Sequence, residues 1–205
     1  MKREERARQT KRRIMDRALA EFSAHGYRAA SVNNIFDPEQ GISKGIIYHY
    51  FASKDELFLV CVEECFQSLK AYLQNKFHLD GGTIDAEECL SNYFGVRMQF
   101  FREYPLYQRI FIESVFMPPE HLRAEIMERR QPVEQLNTDI LEALFSRMPL
   151  RCHVRQGDIA KLLIQFINFT NLQDHGAGTD LADIQHLEEK NRQILDIFLN
   201  GILER

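Results

Sequence analysis

The chain has 205 residues, 27% charged and 44% hydrophobic, an ordinary globular composition and enough length for one or two domains with a real core. Glycine (10) and proline (6) together fall below the average of roughly 12%, which speaks against a turn-rich all-β fold and against a disordered chain. The net charge of −4 and a pI of about 6.0, taken alone, speak against a nucleic-acid binder.

No apolar run reaches the roughly 18 residues of a membrane-spanning helix. The start, MKREERARQTKRR, has no apolar stretch behind its charges, so it does not read as a secretory signal. Cys61, Cys65, Cys89 and Cys152 are scattered rather than arranged as a framework and are expected to be reduced in a cytoplasmic protein. Phosphate-binding loops, nucleophile elbows and metal-binding signatures are not found, so no enzyme, cofactor or metal is expected.

The first helix is predicted over about Glu4–His25, where Ile14, Ala18 and Phe22 recur on one face. Gly26 follows as its C-terminal glycine, with Tyr27 packing back on the helix end. Ser31 is placed to cap a short second helix, Val32–Phe36, which Pro38 should end early. Gly41 makes a turn, and Ser43 caps a third helix, Lys44–Tyr50. Ser53-Lys54-Asp55-Glu56 is a capping box that opens a long fourth helix, to about Phe77.

Asp80-Gly81-Gly82-Thr83 breaks the pattern. A helix follows to about Tyr104, and Pro105 restarts the chain to about Phe116. Met117-Pro118-Pro119 interrupts again. The next helix, Glu120 to about Arg147, contains Pro132, which should kink or divide it; Pro149 ends it. Two final helices cover about Val154–Asp174 and Leu181–Leu203. With no sustained period-2 alternation, the expected fold is all-α with about nine helices.

The charge is divided along the chain. Residues 1–56 hold 11 Lys and Arg against 8 Asp and Glu, a net of +3; the rest of the chain carries −7. Seven of the cations lie within residues 1–13. A basic head on an acidic body suits a polyanion partner; a solvated helical arm without one reads the same way.

Three short helices, with a glycine turn between the second and third, form a candidate helix-turn-helix. Such a unit lays its third helix in the DNA major groove while the second braces it. The run from Thr10 to Leu57 resembles the DNA-binding domain of the TetR/AcrR family of transcriptional regulators. The matching residues are Ile14, Ala18, Phe22, Gly26-Tyr27, Ser31-Val32, Ile35, Gly41-Ile42-Ser43-Lys44-Gly45-Ile46-Ile47-Tyr48-His49-Tyr50-Phe51 and Ser53-Lys54-Asp55-Glu56-Leu57.

The resemblance implies roles by position. Lys44 can reach a guanine edge or a phosphate, and Ile46 a thymine methyl. Gly45 lets the helix approach DNA closely, or is simply a poor helix former. Tyr48 bonds a phosphate through its hydroxyl, with buried packing as the alternative. His49 reaches base or phosphate from the same surface. Lys54 matches a phosphate-binding lysine; Ser31, Asn33 and Ser43 contact the DNA backbone, or in the second helix a base. Operator identity then rests mainly on Lys44, Gly45, Ile46 and His49, since phosphate contacts carry no sequence information. One departure stands out. Ile35 and Gly41 are six apart, one more than in the family, and Phe36-Asp37-Pro38-Glu39-Gln40 replaces an alanine-rich stretch. It should reshape the turn between the second and third helices.

The resemblance divides the chain at about residue 52: residues 1–52 for DNA, residues 53–205 for an effector and for dimerisation. Two heads of a homodimer would sit about 34–36 Å apart on a palindromic operator in double-stranded DNA. Leu163 and Ile167, with Ile194, Phe198 and Ile202, are candidates for the dimer interface; intramolecular core is the alternative. Phe94, Met98, Phe101, Phe111, Phe116 and Phe166 are candidates for a small-molecule pocket, again with core as the rival reading. Arg97, Gln99, Tyr107 and Arg109 could supply polar contacts there. Cys61 and Cys65 share a helix face and read as buried small hydrophobes, a redox or metal sensor being the alternative. The function expected is a homodimeric repressor released by a small molecule; the alternative is a protein-interaction module of the same fold that has lost specific DNA binding.

Overall fold

Local signals set most helix ends. In the computed structural model, which describes residues 3–37, 41–78, 86–148, 150, 155–173 and 181–202, the helices are α1 Arg3–Ala29, α2 Val32–Ile35, α3 Lys44–Tyr50, α4 Lys54–Lys76, α5 Ala86–Glu103, α6 Leu106–Phe116, α7 Arg123–Phe145, α8 Gln156–Gln173 and α9 Leu181–Ile202. A 3-10 turn, Glu120–Leu122, precedes α7. The described residues contain no strand, only isolated bridge residues such as the pair Asp37 and Ile42. The all-α expectation holds.

One helix start differs from the sequence reading. The start expected at Glu120 is the 3-10 turn, and α7 proper begins at Arg123. Of the two outcomes expected of Pro132, division does not occur: α7 runs through it to Phe145. An interior proline costs about 3 kcal/mol, and burial of Ile126, Val133 and Leu141 on the same helix offsets that loss. Gly26 takes the expected positive φ of 72° and interrupts the helix with a kink, so the regular part of α1 stops where expected and Tyr27–Ala29 is a short turn beyond the break. The breaks expected at Asp80–Thr83, Pro149 and His175–Gly178, and the cap at Asp85, lie outside the described residues.

The chain forms two compact units, Met1–Leu69 with Phe101–Gln131, and Lys70–Phe100 with Pro132–Arg205. In the first, α1 packs on α2 and α6. Ile14, Ala18 and Phe22 are completely buried, as are Ile42, Ile47 and Phe58. Phe22 meets the Phe58 ring edge-on at 5.1 Å. Tyr27 also lies on Phe58, at 5.0 Å, so it packs on α4 rather than back on the end of α1.

The second unit is built around aromatic and aliphatic side chains of α4, α5, α7, α8 and α9. Tyr93 is fully buried, with Phe77 and Phe94 each 5.2 Å away. Leu141, Leu144 and Leu163 are completely buried, and Leu195 and Leu199 nearly so. α8 packs on α9.

Candidate nucleic-acid interface

The second helix starts at an extended Ser31, whose Oγ accepts from the Asn33 N–H at 3.2 Å. Such a cap satisfies one of the N–H groups a helix start leaves open. The carboxylate of Glu21, buried beneath, takes the Ser31 N–H and the Asn34 side-chain amide, both at 2.9 Å. Burial pushes the Glu21 carboxyl up, but these two donors and His25 outweigh it and hold it below its ordinary value.

The far end of α2 is held by Arg17. Its guanidinium donates to the Ile35 carbonyl (2.8 Å) and the Phe36 carbonyl (3.3 Å), and pairs with Asp37 at 2.8 Å. A cation collecting the last carbonyls satisfies both their lone pairs and the negative end of the helix. Arg17 was not among the residues singled out from sequence. The available signal is its spacing: it follows Ile14 by three residues, beside the apolar stripe of α1.

The irregular linker follows. Asp37 N–H donates to Ile42 O at 2.9 Å, and Ile42 N–H donates back to Asp37 O at 2.7 Å. Gly41, at φ 71°, occupies a conformation that side chains resist, with open space around it. The departure from the family pattern is thus confined between two mutually bonded residues, with Ile42 anchored in the core. Pro38, Glu39 and Gln40 lie outside the described residues.

The third helix has the predicted bounds. Ser43 Oγ accepts from the Ile46 N–H at 3.2 Å, and Ile47 faces the core. The opposite face is open: Ser43, Lys44, Gly45 and His49 are exposed, and Tyr48 is 54% exposed. Ile46 is half-buried. The buried-packing alternative for Tyr48 is removed by that exposure. A Cβ on Gly45 would meet only Ser43 Oγ, at 3.9 Å, so no neighbour within the chain demands glycine there. Asn33 is exposed and Ser31 half-buried on the adjoining helix.

Lys44 forms no ion pair with a described residue. The arm at the start of α1 is less free than its sequence suggests. Arg8 pairs with Glu5 at 3.0 Å, and Arg12 pairs with Asp16 at 2.8 Å and with Glu64. Lys54 is folded back: its Nζ lies 4.7 Å over the Tyr27 ring and 3.3 Å from the Arg28 carbonyl. The capping box at α4 is also altered. Glu56 N–H bonds Ser53 Oγ as expected, but the Glu56 carboxylate reaches the Ala52 N–H at 2.6 Å.

The end of α1 is clamped by residues distant in sequence. Glu113 of α6 accepts the Tyr27 N–H at 2.7 Å, and Arg109 donates to the Ala24 carbonyl at 3.2 Å. The Tyr27 hydroxyl donates to Asp55 at 2.5 Å, with His121 Nε2 at 3.1 Å. Burial first, then the hydrogen bond to Asp55 and its charge, push the Tyr27 hydroxyl up to about 12.

The candidate pocket residues are dispersed. Phe101 and Phe111 meet at 5.0 Å in the first unit. Phe94 is buried against Tyr93 in the second, where Met98 is half-buried. Phe116 is half-buried, and Phe166 is 46% exposed. Tyr107 donates to Glu64 at 3.0 Å, so both it and Arg109 have internal partners. Among dimer candidates, Leu163 is wholly buried within its own chain, which accords with the core alternative for that residue. Ile194 and Phe198 are half-buried, whereas the side chains of Ile167 and Ile202 lie outside the described residues. The large apolar side chains exposed on α8 and α9 are Leu162, Phe166 and Ile197.

Cys61 and Cys65 are buried. Burial pushes the Cys61 thiol up to about 12 and the Cys65 thiol well above its ordinary value. Both stay protonated and pack as small hydrophobes; thiolate chemistry has no support here. Cys89 is buried too, and Cys152 lies outside the described residues. No group of three or more potential metal ligands occurs among the described residues.

The comparisons agree with the resemblance. Residues 14–61 match the family described as "Bacterial regulatory proteins, tetR family". The chain is 24% identical over 160 residues to the biofilm operon icaADBC HTH-type negative transcriptional regulator IcaR of Staphylococcus epidermidis, covering 77% of this chain and 80% of that protein. Its fold is shared with a TetR family transcriptional regulator from Chloroflexus aurantiacus (TM-score 0.68, 19% identity, 97% of this chain and 95% of that one). A TetR family regulator from Agrobacterium tumefaciens shares it as well (TM-score 0.70, 18% identity, 97% and 100%). So does the fatty acid degradation regulator FadR of Bacillus halodurans (TM-score 0.70, 16% identity, 91% and 94%).

Proposed function

The chain is a TetR-family regulator by the domain it carries over residues 14–61, and from that premise we propose a homodimeric transcriptional repressor that a small molecule releases from a palindromic operator. Residues 1–52 bind DNA in this reading, and residues 53–205 hold the effector and the dimer contact. The observation that carries it is the open face of α3, which presents Lys44, Gly45, Tyr48 and His49 on a helix whose opposite side is locked into the core by Ile47.

Each side chain then has a task set by its chemistry. Lys44 and His49 read base edges or phosphate, and Ile46 offers a methyl surface to thymine. Tyr48, Ser31, Asn33 and Ser43 bond the sugar-phosphate backbone and fix the register. Lys54 leaves the Tyr27 ring for a phosphate, exchanging a cation–π contact for a full ionic one. Repression takes support from the negative regulator IcaR, which aligns with most of this chain. The expected place of action is the cytoplasm; no helix among the described residues is long and apolar enough to cross a membrane.

The mutual bonds of Asp37 and Ile42 support DNA binding over the protein-interaction alternative, because they leave the register of α3 set by a buried residue. A mobility shift against the DNA upstream of the protein's own coding region tests the reading. Specific binding that Lys44→Ala and Tyr48→Ala each weaken is expected. Specific binding that survives both changes intact overturns the assignment of α3, and the absence of any enriched palindrome in a random-DNA selection favours the interaction module.

A further inference from the structure

Helix α1 begins well ahead of the core it serves. Ile14 is the first buried side chain among its described residues, yet the helix starts at Arg3. The overhang, Arg3–Arg13, is about 16 Å of helix. It precedes the family domain of residues 14–61. Residues 1–13 carry seven lysines and arginines against two glutamates, a density of positive charge that suits a polyanion.

Two adjacent cations of the overhang reach in different directions. Arg12 pairs with Glu64, well inside α4. Lys11 reaches instead to the residue that ends α3: its Nζ lies 5.5 Å from the centre of the Phe51 ring, and Phe51 is the C-cap of α3. Phe51 is buried at 1% exposed, whereas Lys11 is exposed. The ammonium thus stands in solvent beside the end of α3. Lys54, at the start of α4, is held in the same manner, 4.7 Å over the Tyr27 ring. The short junction between α3 and α4 is flanked by two lysines resting on aromatic rings, one from each neighbouring long helix.

Arg8 precedes Lys11 by three residues, and residues three apart share a helix face. Its guanidinium bonds both oxygens of Glu5, at 3.0 and 3.1 Å, with 79% of the side chain exposed. An exposed pair within one helix and a surface cation over a ring are both weak contacts in water. Either cation exchanges such a partner for a phosphate at little cost.

We propose that α1 is a third DNA-contacting element, in which Lys11 binds a backbone phosphate beside the C-terminal end of α3 and Arg8, on the same face, binds a neighbouring one. The partner is the sugar-phosphate backbone next to the bases that α3 reads, so these contacts add affinity and no base preference. The proposal rests on reading α3 as the recognition helix.

The test titrates the full chain with a duplex of the protein's own upstream DNA and with a scrambled duplex, at several salt concentrations. Lys11→Met is expected to weaken binding about equally on both, and to lower the slope of log affinity against log salt by about 1 per protomer. Combining it with Arg8→Met lowers the slope by about 2. Lys11→Arg, which keeps the charge, retains the wild-type slope. Lys76→Met removes a lysine that rests 5.8 Å from the Tyr72 ring centre in the second unit and leaves the slope unchanged.

A slope that Lys11→Met leaves intact overturns the proposal. If that variant instead loses affinity with the slope intact and the Tm lowered, Lys11 is a prop for Phe51 and not a phosphate contact. An equal fall in slope for Lys76→Met assigns the effect to net charge and overturns it too. Wild-type binding that Lys11→Met does not alter removes the α1 contact alone; a wild type that binds neither duplex removes the regulator reading together with it.

Discussion

Asp37 and Ile42 donate a backbone hydrogen bond to each other, at 2.9 and 2.7 Å, across the stretch where the chain departs from the family pattern. One end of this bridge is buried in the core; the other is paired with Arg17. The extra residue is therefore absorbed between two tied points, so it need not displace α3.

If that closure positions the recognition helix, Arg17→Met should weaken DNA binding without touching DNA. The substitution removes the hydrogen bonds at the end of α2 and the Asp37 pair while keeping an apolar stem. A stability loss of about 1–3 kcal/mol is expected, read by urea denaturation. Operator affinity should fall in the same protein, and Arg8→Met, a change at an exposed pair, should leave stability within about 0.5 kcal/mol.

Lys44 and Lys54 should behave differently. Lys54→Met should weaken binding about equally on all sequences and reduce the slope of log affinity against log salt by about 1, the signature of one lost phosphate contact. Lys44→Ala should instead cost about 1–3 kcal/mol on the preferred operator and relax preference at one base position, if it reads a base. Binding titrations at several salt concentrations, on operator and scrambled DNA, distinguish them.

Gly26 should tolerate no side chain. Its φ is 72°, and a Cβ there would stand 2.1 Å from Glu113 Oε1, the carboxylate that accepts the Tyr27 N–H. Gly26→Ala therefore strains the backbone and displaces a buried-side acceptor together. A loss of about 1–3 kcal/mol is expected, visible as a lower Tm.

Glu21 should make stability fall in acid. Its carboxyl titrates below the ordinary value of 4.5 in the folded chain, so the unfolded chain takes up the proton first. The contribution is present above the unfolded value and is lost as pH falls through the folded one. Glu21→Gln, which keeps an oxygen for the Ser31 N–H, should flatten the stability profile as pH falls below the ordinary carboxyl value of 4.5. A wild-type profile as flat as that of the variant removes the assignment.

Helix starts were legible where the cap and the capped N–H lie within a few residues. Ser31, Ser43 and Ser53 all cap as their spacing predicts. The break at the end of α1 was legible, because Gly26 takes the positive φ that ends a regular turn; that Glu113, 86 residues away, accepts the Tyr27 N–H was not. Pro132 does not divide α7 because the local penalty, though real, is met by apolar side chains buried on either side of it. The exposed face of α3 was readable residue by residue, whereas Arg17 left no motif, since it acts on atoms far away in the sequence.

The sequence by itself determined the helical class, the three serine caps and the turns at Gly26 and Gly41, because helix periodicity and capping are interactions within a turn or so; the α3 residues proposed to meet DNA came only from the family resemblance. Only the tertiary structure decided how the cations are used. Arg17 closes α2, Lys54 rests on Tyr27, and Lys44 pairs with no carboxylate among the described residues. The division into a basic head and an acidic body therefore locates charge without saying which of it is available. Availability depends on what packs beside each group, and packing joins residues that sequence distance keeps apart.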